Sequence, residues 1–361
     1  MDDRSTTTAV RWVLPVAPPL DAAAVPPADR RAALDALAEL TTAVRAHLTN
    51  PDLFHRPRLR PKLHLQRTAG IAPERLAELL AAAAETRTAA GLAAVHSVRA
   101  ELHEHPGRRP CFTPESLAEL HDMLIQGDPN ITHPGGFRQG TSTVTWPDGE
   151  KFTIATAAGP QLRQRIAHWY HWGTRTTAHP LDAAALAMAG LLTIHPFPDG
   201  NGRMARLLAQ CDLVGANLLP GLLLDLEAWS EQHHAAHDTA LVAAADGDLT
   251  RWGSLFARAV TETARHRTTT VTAYGAVLDA ALARVTDDPA AMAVLTHLRA
   301  APAVSAASLR GHLPFDPRPA LGRLRTAGIL ADHPRLPGAL HHPRLLELLD
   351  TPYSPTTPET G

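Results

Sequence analysis

A chain of 361 residues, 45% of them hydrophobic, can bury a sizeable core and divides into two or three domains. Its 34 basic side chains nearly balance 36 acidic ones, and a formal net charge of −2 excludes chain-wide attraction to nucleic acid or to a membrane surface. The two cysteines, Cys111 and Cys211, make no disulfide framework. With no long apolar run and no signal-peptide pattern, a reduced cytoplasmic protein is expected.

Residues 1–30 are polar and then Pro-rich, and read as an arm lying extended over the fold or partly disordered. From Asp29 to Thr49, Leu34, Leu37, Leu40, Val44 and Leu48 recur at helical spacing. Pro51 to Leu65 is a loop whose Arg56, Arg58 and Arg60 read as a solvated face. A second helical stretch runs from Pro73 to about Leu102. Thr113-Pro114-Glu115-Ser116 is a helix start, with Thr113 as cap and Pro114 at the first helical position. Leu117, Leu120, Met123 and Leu124 would form its buried face. Thr143 to Trp146 and Lys151 to Ala155 alternate around Pro147-Asp148-Gly149-Glu150, a hairpin signal that puts Val144, Trp146, Phe152 and Ile154 on one face. Gln161 to Gly173 is a further helix, with Ile166 and Trp169 inward.

Asp182 to Ile194 is rich in Ala and Leu and reads as a buried helix capped by Asp182. Pro196 and Pro198 forbid its continuation. A new helix follows at once, its apolar face marked by Met204, Leu207, Leu208, Cys211, Val214 and Leu218. Between the two lies His195-Pro196-Phe197-Pro198-Asp199-Gly200-Asn201-Gly202-Arg203, followed after two residues by Arg206. Two glycines permit positive φ and leave backbone N–H groups outward at a helix N-terminus, which is an anion site. Arg203 and Arg206 share a face of its first turns, where cations are wrong for the helix alone and right for a bound polyanion. Asp199 is then the natural Mg²⁺ ligand, and His195 a general base facing the same space.

Downstream, Ala216 to Leu226 and Glu227 to Asp246 read as continued helix. His233 and His237, four apart, read as a solvated helix face, since no acid lies between them as in His-Glu-x-x-His. Thr261 to Asp288 reads as a linking helix. Three helices follow, over Ala290 to Arg299, Ser305 to His312, and from Asp316-Pro317 to Gly328. Ile329-Leu330 opens a short strand region, and the tail from Thr351 reads as disordered.

The stretch from His195 to Arg206 resembles the signature of the Fic (Fido) family, His-Pro-Phe-x-Asp-Gly-Asn-Gly-Arg-x-x-Arg, and matches every specified position. The resemblance implies a mainly α fold: a Fido helical bundle with a β-hairpin flap, an N-terminal helical region and a C-terminal winged helix-turn-helix. The expected boundaries are 1–109, 110–262, a linker helix over 263–285, 286–350, and a tail over 351–361. It implies transfer of AMP from ATP to a Tyr, Thr or Ser hydroxyl of a protein target, the chain itself included. His195 would be the base and Asp199 would hold Mg²⁺. Gly200, Asn201 and Gly202 would cradle the phosphates, Arg203 and Arg206 would bind the distal ones, and Phe197 would anchor the loop. Relatives that transfer a phosphate carry Lys in place of the second glycine, so Gly202 favours nucleotide transfer.

The same resemblance makes the hairpin, with Thr145, Trp146, Lys151, Phe152 and Thr153, a flap that holds the target segment by strand addition. Ser97 and Glu101 match the spacing of an inhibitory helix whose Glu pairs with the second Arg, here Arg206; Leu102 departs from that pattern. Gly135-Gly136-Phe137-Arg138 resembles the Gly-x-Phe-Arg segment, with a structural Arg138. His121 lies in a Leu-His pair typical of the first Fido helix, where simple packing also accounts for it. Met188 stands where relatives often have His, and His237-Asp238 where they often have a Tyr pair near the adenine. In the terminal module, from Ala290 to Asp350, seven Arg against four acids leave +3, modest for DNA. DNA bound through 286–350, with the Fic-like domain a nucleotide sensor or held inhibited, is the alternative reading. A homodimer stays open; a membrane partner is not expected.

Overall fold

The computed structural model describes residues 19–54, 113–125, 133–140, 142–145, 151–154, 159–334, 336–351, 353 and 354. Ser97, Glu101 and Trp146 lie outside them. The chain is mainly helical and divides into two compact units. The first comprises Met1–Ala33, Arg56–Leu218 and Leu226–Ala259, and the second Leu34–His55, Leu219–Asp225 and Val260–Gly361. No described helix is long and apolar enough to cross a membrane.

Helix α1 (Pro27–His47) is followed by a 3-10 turn, Pro51–Phe54. In the first unit come α2 (Pro114–Ile125), the hairpin β1 (Ser142–Thr145) and β2 (Lys151–Ile154), α3 (Pro160–Arg175), α4 (Pro180–Ile194) and α5 (Asn201–Gly215). They continue in α6 (Leu226–Gln232), α7 (His234–Ala245) and the long α8 (Leu249–Ala283), which belongs to the first unit as far as Ala259 and to the second from Val260. In the hairpin Thr143 pairs with Thr153 and Val144 with Phe152, antiparallel. The central element is α4: from Leu181 to Ile194 every residue but Gly190 is buried. It packs most extensively on α5, and also on α3 and α7. A helix apolar on all sides has to sit inside its bundle. That holds its C-terminal end, and the loop that follows, in a fixed frame.

Asp182 does not cap α4. His179 does, its Nδ1 accepting from the Leu181 N–H, with Pro180 at the first helical position. Asp182, wholly buried in the first turn, accepts from the N–H groups of Ala24 and Val25 at 2.7 Å each and pairs with Arg30 at 2.9 Å. The segment before α1 is thereby pinned, and the Leu20 carbonyl also accepts from Thr177 and Ala178. Close approach explains Gly253 on α8, where a Cβ would overlap the Ala24 carbonyl. Asp182→Ala leaves two buried donors unmatched, at about 1–3 kcal/mol each. Its unfolding temperature is therefore expected to fall well below that of the parent chain; an unchanged value would show that this carboxylate does not hold the arm.

In the second unit Phe54 meets Tyr274 edge-on at 5.5 Å, and Arg267 lies over Phe54 while its Nε donates to the Leu223 carbonyl. Helix α9 (Pro289–Thr296) is capped by Asp288. Then come β3 (Ala303–Val304), α10 (Ala306–Leu309), α11 (Arg318–Thr326), β4 (Ala331–Asp332), β5 (Leu340–His341) and α12 (Pro343–Asp350). The three strands form an antiparallel sheet in the order β3-β5-β4.

Several sequence expectations are corrected here. Residues 216–225 are not helical: Asn217 takes φ 58°, Pro220-Gly221 interrupts the run, and Leu219, Leu222, Leu223 and Leu224 are buried along irregular backbone. A short apolar run does not distinguish a buried helix from a buried irregular segment. The helix expected from Glu227 to Asp246 breaks at His233, where that ring stacks on Trp229 at 4.1 Å. His237 meets Trp252 edge-on, so neither histidine lies on a simply solvated face. Among the described residues no cluster of three His, Cys, Asp or Glu could hold a metal. The linking helix begins at Leu249, because nothing from there to Ala283 breaks it. Val304 is strand, paired with Leu340, and the second terminal helix shrinks to the one turn that the Ser305–Ser308 capping box supports. Helix α12 was not expected, although Pro343 followed by the buried pair Leu345 and Leu349 is its signal. Tyr353, in the expected disordered tail, is buried and donates its hydroxyl to Glu262 at 2.8 Å.

Candidate active site

The site grows from the end of α4. His195 terminates that helix in the left-handed region, φ 49°, ψ 59°, and its N–H donates to the Leu191 carbonyl. A non-glycine residue there costs on the order of 1–2 kcal/mol, so something must hold it. Arg138 does. Its Nε donates to the His195 carbonyl at 2.6 Å, Nη2 to the Ile194 carbonyl at 3.2 Å and Nη1 to the Gly140 carbonyl at 2.6 Å. Its backbone N–H donates to the Pro196 carbonyl. A buried cation at a helix C-terminus meets the unpaired carbonyls and the negative end of the dipole. Arg138 is thus a scaffold residue, as expected.

The imidazole of His195 is half-buried, with Nδ1 3.3 Å from the Leu192 carbonyl. A carbonyl can only accept, so Nδ1 carries the proton and Nε2 keeps its lone pair. Burial, seconded by the Arg138 charge, lowers its pKa to about 4, while the Leu192 carbonyl and Asp199 pull the other way. The ring is therefore neutral near pH 7 and presents a basic nitrogen.

The loop that follows is closed from within. Asn201, nearly inaccessible, accepts from the Phe197 N–H at 3.0 Å and donates to the Phe197 carbonyl at 2.7 Å. The Asn201 side chain thus clamps the loop from within. Phe197 is fully buried, as an anchor should be, and its ring lies flat on His121, centroids 3.7 Å apart and planes within 2°. His121 accepts at Nδ1 from the Gly135 N–H, so Nε2 donates to the Asp199 carbonyl at 2.9 Å. It ties α2, the Gly135–Arg138 segment and the anion loop together. The Leu-His pair was its sequence signal, yet packing accounted for that equally well.

Gly200 begins α5 at φ 82°, and a Cβ there would come within 3.0 Å of both His121 Nε2 and Ile125. Only glycine fits. The backbone then turns the first N–H groups of α5 to an open end that no side chain caps. The Asp199 carboxylate, 55% exposed, accepts from the Gly200 N–H at 2.6 Å and lies 3.9 Å from Arg203. The Arg206 guanidinium lies over Gly202 and pairs with Glu227 through Nε at 2.5 Å. Glu227 was not singled out in the sequence, where nothing links it to Arg206.

The site thus joins His195, Phe197, Asp199, Gly200–Gly202, Arg203 and Arg206 on one loop and one helix start. Of the expected flap residues, Thr145, Lys151, Phe152 and Thr153 lie in the two hairpin strands, with their side chains outside the described structure. The donor set suits a Mg²⁺-bound polyphosphate: one accessible carboxylate, free helical N–H groups and two guanidinium groups.

A neutral imidazole beside an uncapped helix start, on a mainly helical frame, is an arrangement suited to phosphate chemistry. Residues 111–212 match the Fic/DOC family model. The chain is 34% identical over 123 residues to a protein named protein adenylyltransferase Fic from Drosophila mojavensis, which covers 34% of this chain and 23% of that one. With the protein of that name from Drosophila virilis it shares 40% identity over 73 residues, 20% of this chain and 15% of that one. The chain thus spans about a quarter or less of these curated relatives. A crystal structure of a Fic family protein from Desulfovibrio desulfuricans G20 aligns over 88% of each chain at 17% identity, TM-score 0.44.

Proposed function

We propose that this chain is a Mg²⁺-dependent adenylyltransferase that moves AMP from ATP to a hydroxyl of a protein, its own chain included among the candidate targets. The observation that carries this reading is the neutral His195, its Nε2 left unprotonated, at the head of the loop that leads into the uncapped start of α5 with Asp199, Arg203 and Arg206. His195 takes the proton of the target hydroxyl. The oxygen forms a bond to the α-phosphorus as the bond to the bridging oxygen of the β-phosphate breaks, and pyrophosphate leaves. Backbone N–H groups in the first turn of α5 bear the charge that develops; losing one such donor typically costs ~3–4 kcal/mol. Arg203 and Arg206 hold the distal phosphates. Mg²⁺, held by Asp199 when bound, would neutralise phosphate charge. Among the described residues neither strand of the β1–β2 hairpin pairs with a third, and such an edge suits a target strand, which backbone hydrogen bonds would align.

A cytoplasmic setting belongs to this reading, with Cys211 buried in the core of α5. DNA binding by the terminal module has less support. Arg299, Arg318, Arg323, Arg325 and Arg344 each pair with an acid, Asp279, Asp316, Asp288, Asp332 and Glu347 in turn.

The test is the fate of labelled ATP incubated with the chain and Mg²⁺. Covalent label from α-labelled and none from γ-labelled ATP is the expected result. Label from the γ position alone would establish phosphoryl transfer instead.

A further inference from the structure

Arg206 has two edges for an anion. Glu227 takes the Nε edge. The terminal nitrogens lie over Gly202, where a Cβ would be only 3.0 and 3.1 Å from them. A helical side chain runs back toward the helix N-terminus, so Arg206 reaches the turn of Gly202 by its natural direction. Glu227 sits in the first turn of α6, where a carboxylate is favoured, and is about one quarter exposed. An acid beside a phosphate site can act in two opposed ways. It can occupy the place of the anion, or it can hold the cation by its back edge and aim the other edge at the anion. The contact through Nε, with the terminal nitrogens over the start of α5, is the second arrangement.

We propose that Glu227 is a positioning residue that fixes the Arg206 guanidinium so that its terminal nitrogens face the distal phosphates of the nucleotide. This rests on the nucleotide-binding reading above. Arg has many rotamers, and a fixed fork loses less freedom when it binds. The carboxylate also repels phosphate, so its charge works against its role as an anchor.

Two substitutions separate those effects. Glu227→Gln keeps an oxygen that accepts from Nε and removes the charge. Glu227→Ala removes both. Calorimetric titration of the full chain with Mg-ATP and with AMP, alongside Arg206→Ala, is the measurement. The expected result is ATP binding about tenfold weaker in Glu227→Ala, from the loss of one charge-assisted hydrogen bond. AMP binding should be unchanged, and Glu227→Gln should bind ATP at least as tightly as the parent. Adding Glu227→Ala to Arg206→Ala should cause no further loss, because the two act as one unit.

ATP bound as tightly or more tightly by Glu227→Ala overturns the proposal and makes Glu227 an occupant of the phosphate's place. Equal losses for ATP and AMP overturn it too, since they assign Glu227 to the fold alone. A parent chain that binds no ATP removes the nucleotide reading and this inference with it.

Discussion

His195→Ala should lower the rate of AMP transfer by about 10²–10⁴, the usual contribution of a general base, with ATP affinity preserved. Affinity should survive because in the proposed complex the phosphates are held by the start of α5 and by Arg203 and Arg206, with the imidazole not among them. The fold should survive as well, since the His195 backbone, not its ring, is what Arg138 holds. The pH dependence gives a second check. The base form is the neutral ring, and burial lowers its pKa to about 4. In the free enzyme kcat/KM should therefore rise through about pH 4 and run flat to neutrality as far as His195 is concerned, where an ordinary histidine would place the rise near 6.5. Bound phosphates favour the protonated ring, so the rise in kcat, which reports the complex, should lie at higher pH than that in kcat/KM. A wild-type rate in His195→Ala would remove the residue from the role of base.

His121→Phe should lower stability at pH 7 by about 2–6 kcal/mol while keeping a ring against Phe197. The stacking surface is retained, but the Asp199 carbonyl and the Gly135 N–H lose their partner, at about 1–3 kcal/mol each when buried. The pH profile of stability separates this residue from ordinary core. Burial, above all, lowers the His121 pKa to about 4, with the Arg203 charge adding to it and the bond to the Asp199 carbonyl opposing it. Between pH 6.5 and pH 4 the unfolded chain binds a proton at this site that the folded chain does not. Its contribution is therefore fully present above pH 6.5 and is lost as the pH falls toward 4, about 3 kcal/mol for a shift of this size. His195, shifted the same way, adds to that slope. Denaturant unfolding at several pH values should show a shallower acid loss in His121→Phe than in the parent. Parallel profiles would mean that His121 already titrates normally in the fold.

Much of the site was legible because it is local. The end of one helix at Pro196, the start of the next after two glycines, and the neighbouring base and carboxylate all follow from residues within a dozen positions of one another. Helices α1 through α5 that fall within the described residues carried their own periodicity, caps or prolines, and were placed to within a few residues. The misses share a cause. Residues 216–225 satisfied a composition that suits a helix, but their leucines are buried along irregular backbone. Asp182 sits where a cap could sit, yet its carboxylate serves Ala24, Val25 and Arg30, more than 150 positions away.

By itself the sequence determined a mainly helical fold, the helix–loop–helix that carries the site, and the residues available to bind phosphate and take a proton. Periodicity and capping constrain a residue against neighbours three or four positions away, and those elements need no more. Only the tertiary structure decided what each polar group does. It set the neutral tautomers of His195 and His121, turned the Asn201 side chain inward, gave Arg138 to the end of α4, and placed Glu227 on Arg206. These outcomes depend on which carbonyl, N–H group or carboxylate packing brings within about 3 Å of a donor or acceptor in a buried place where water cannot substitute.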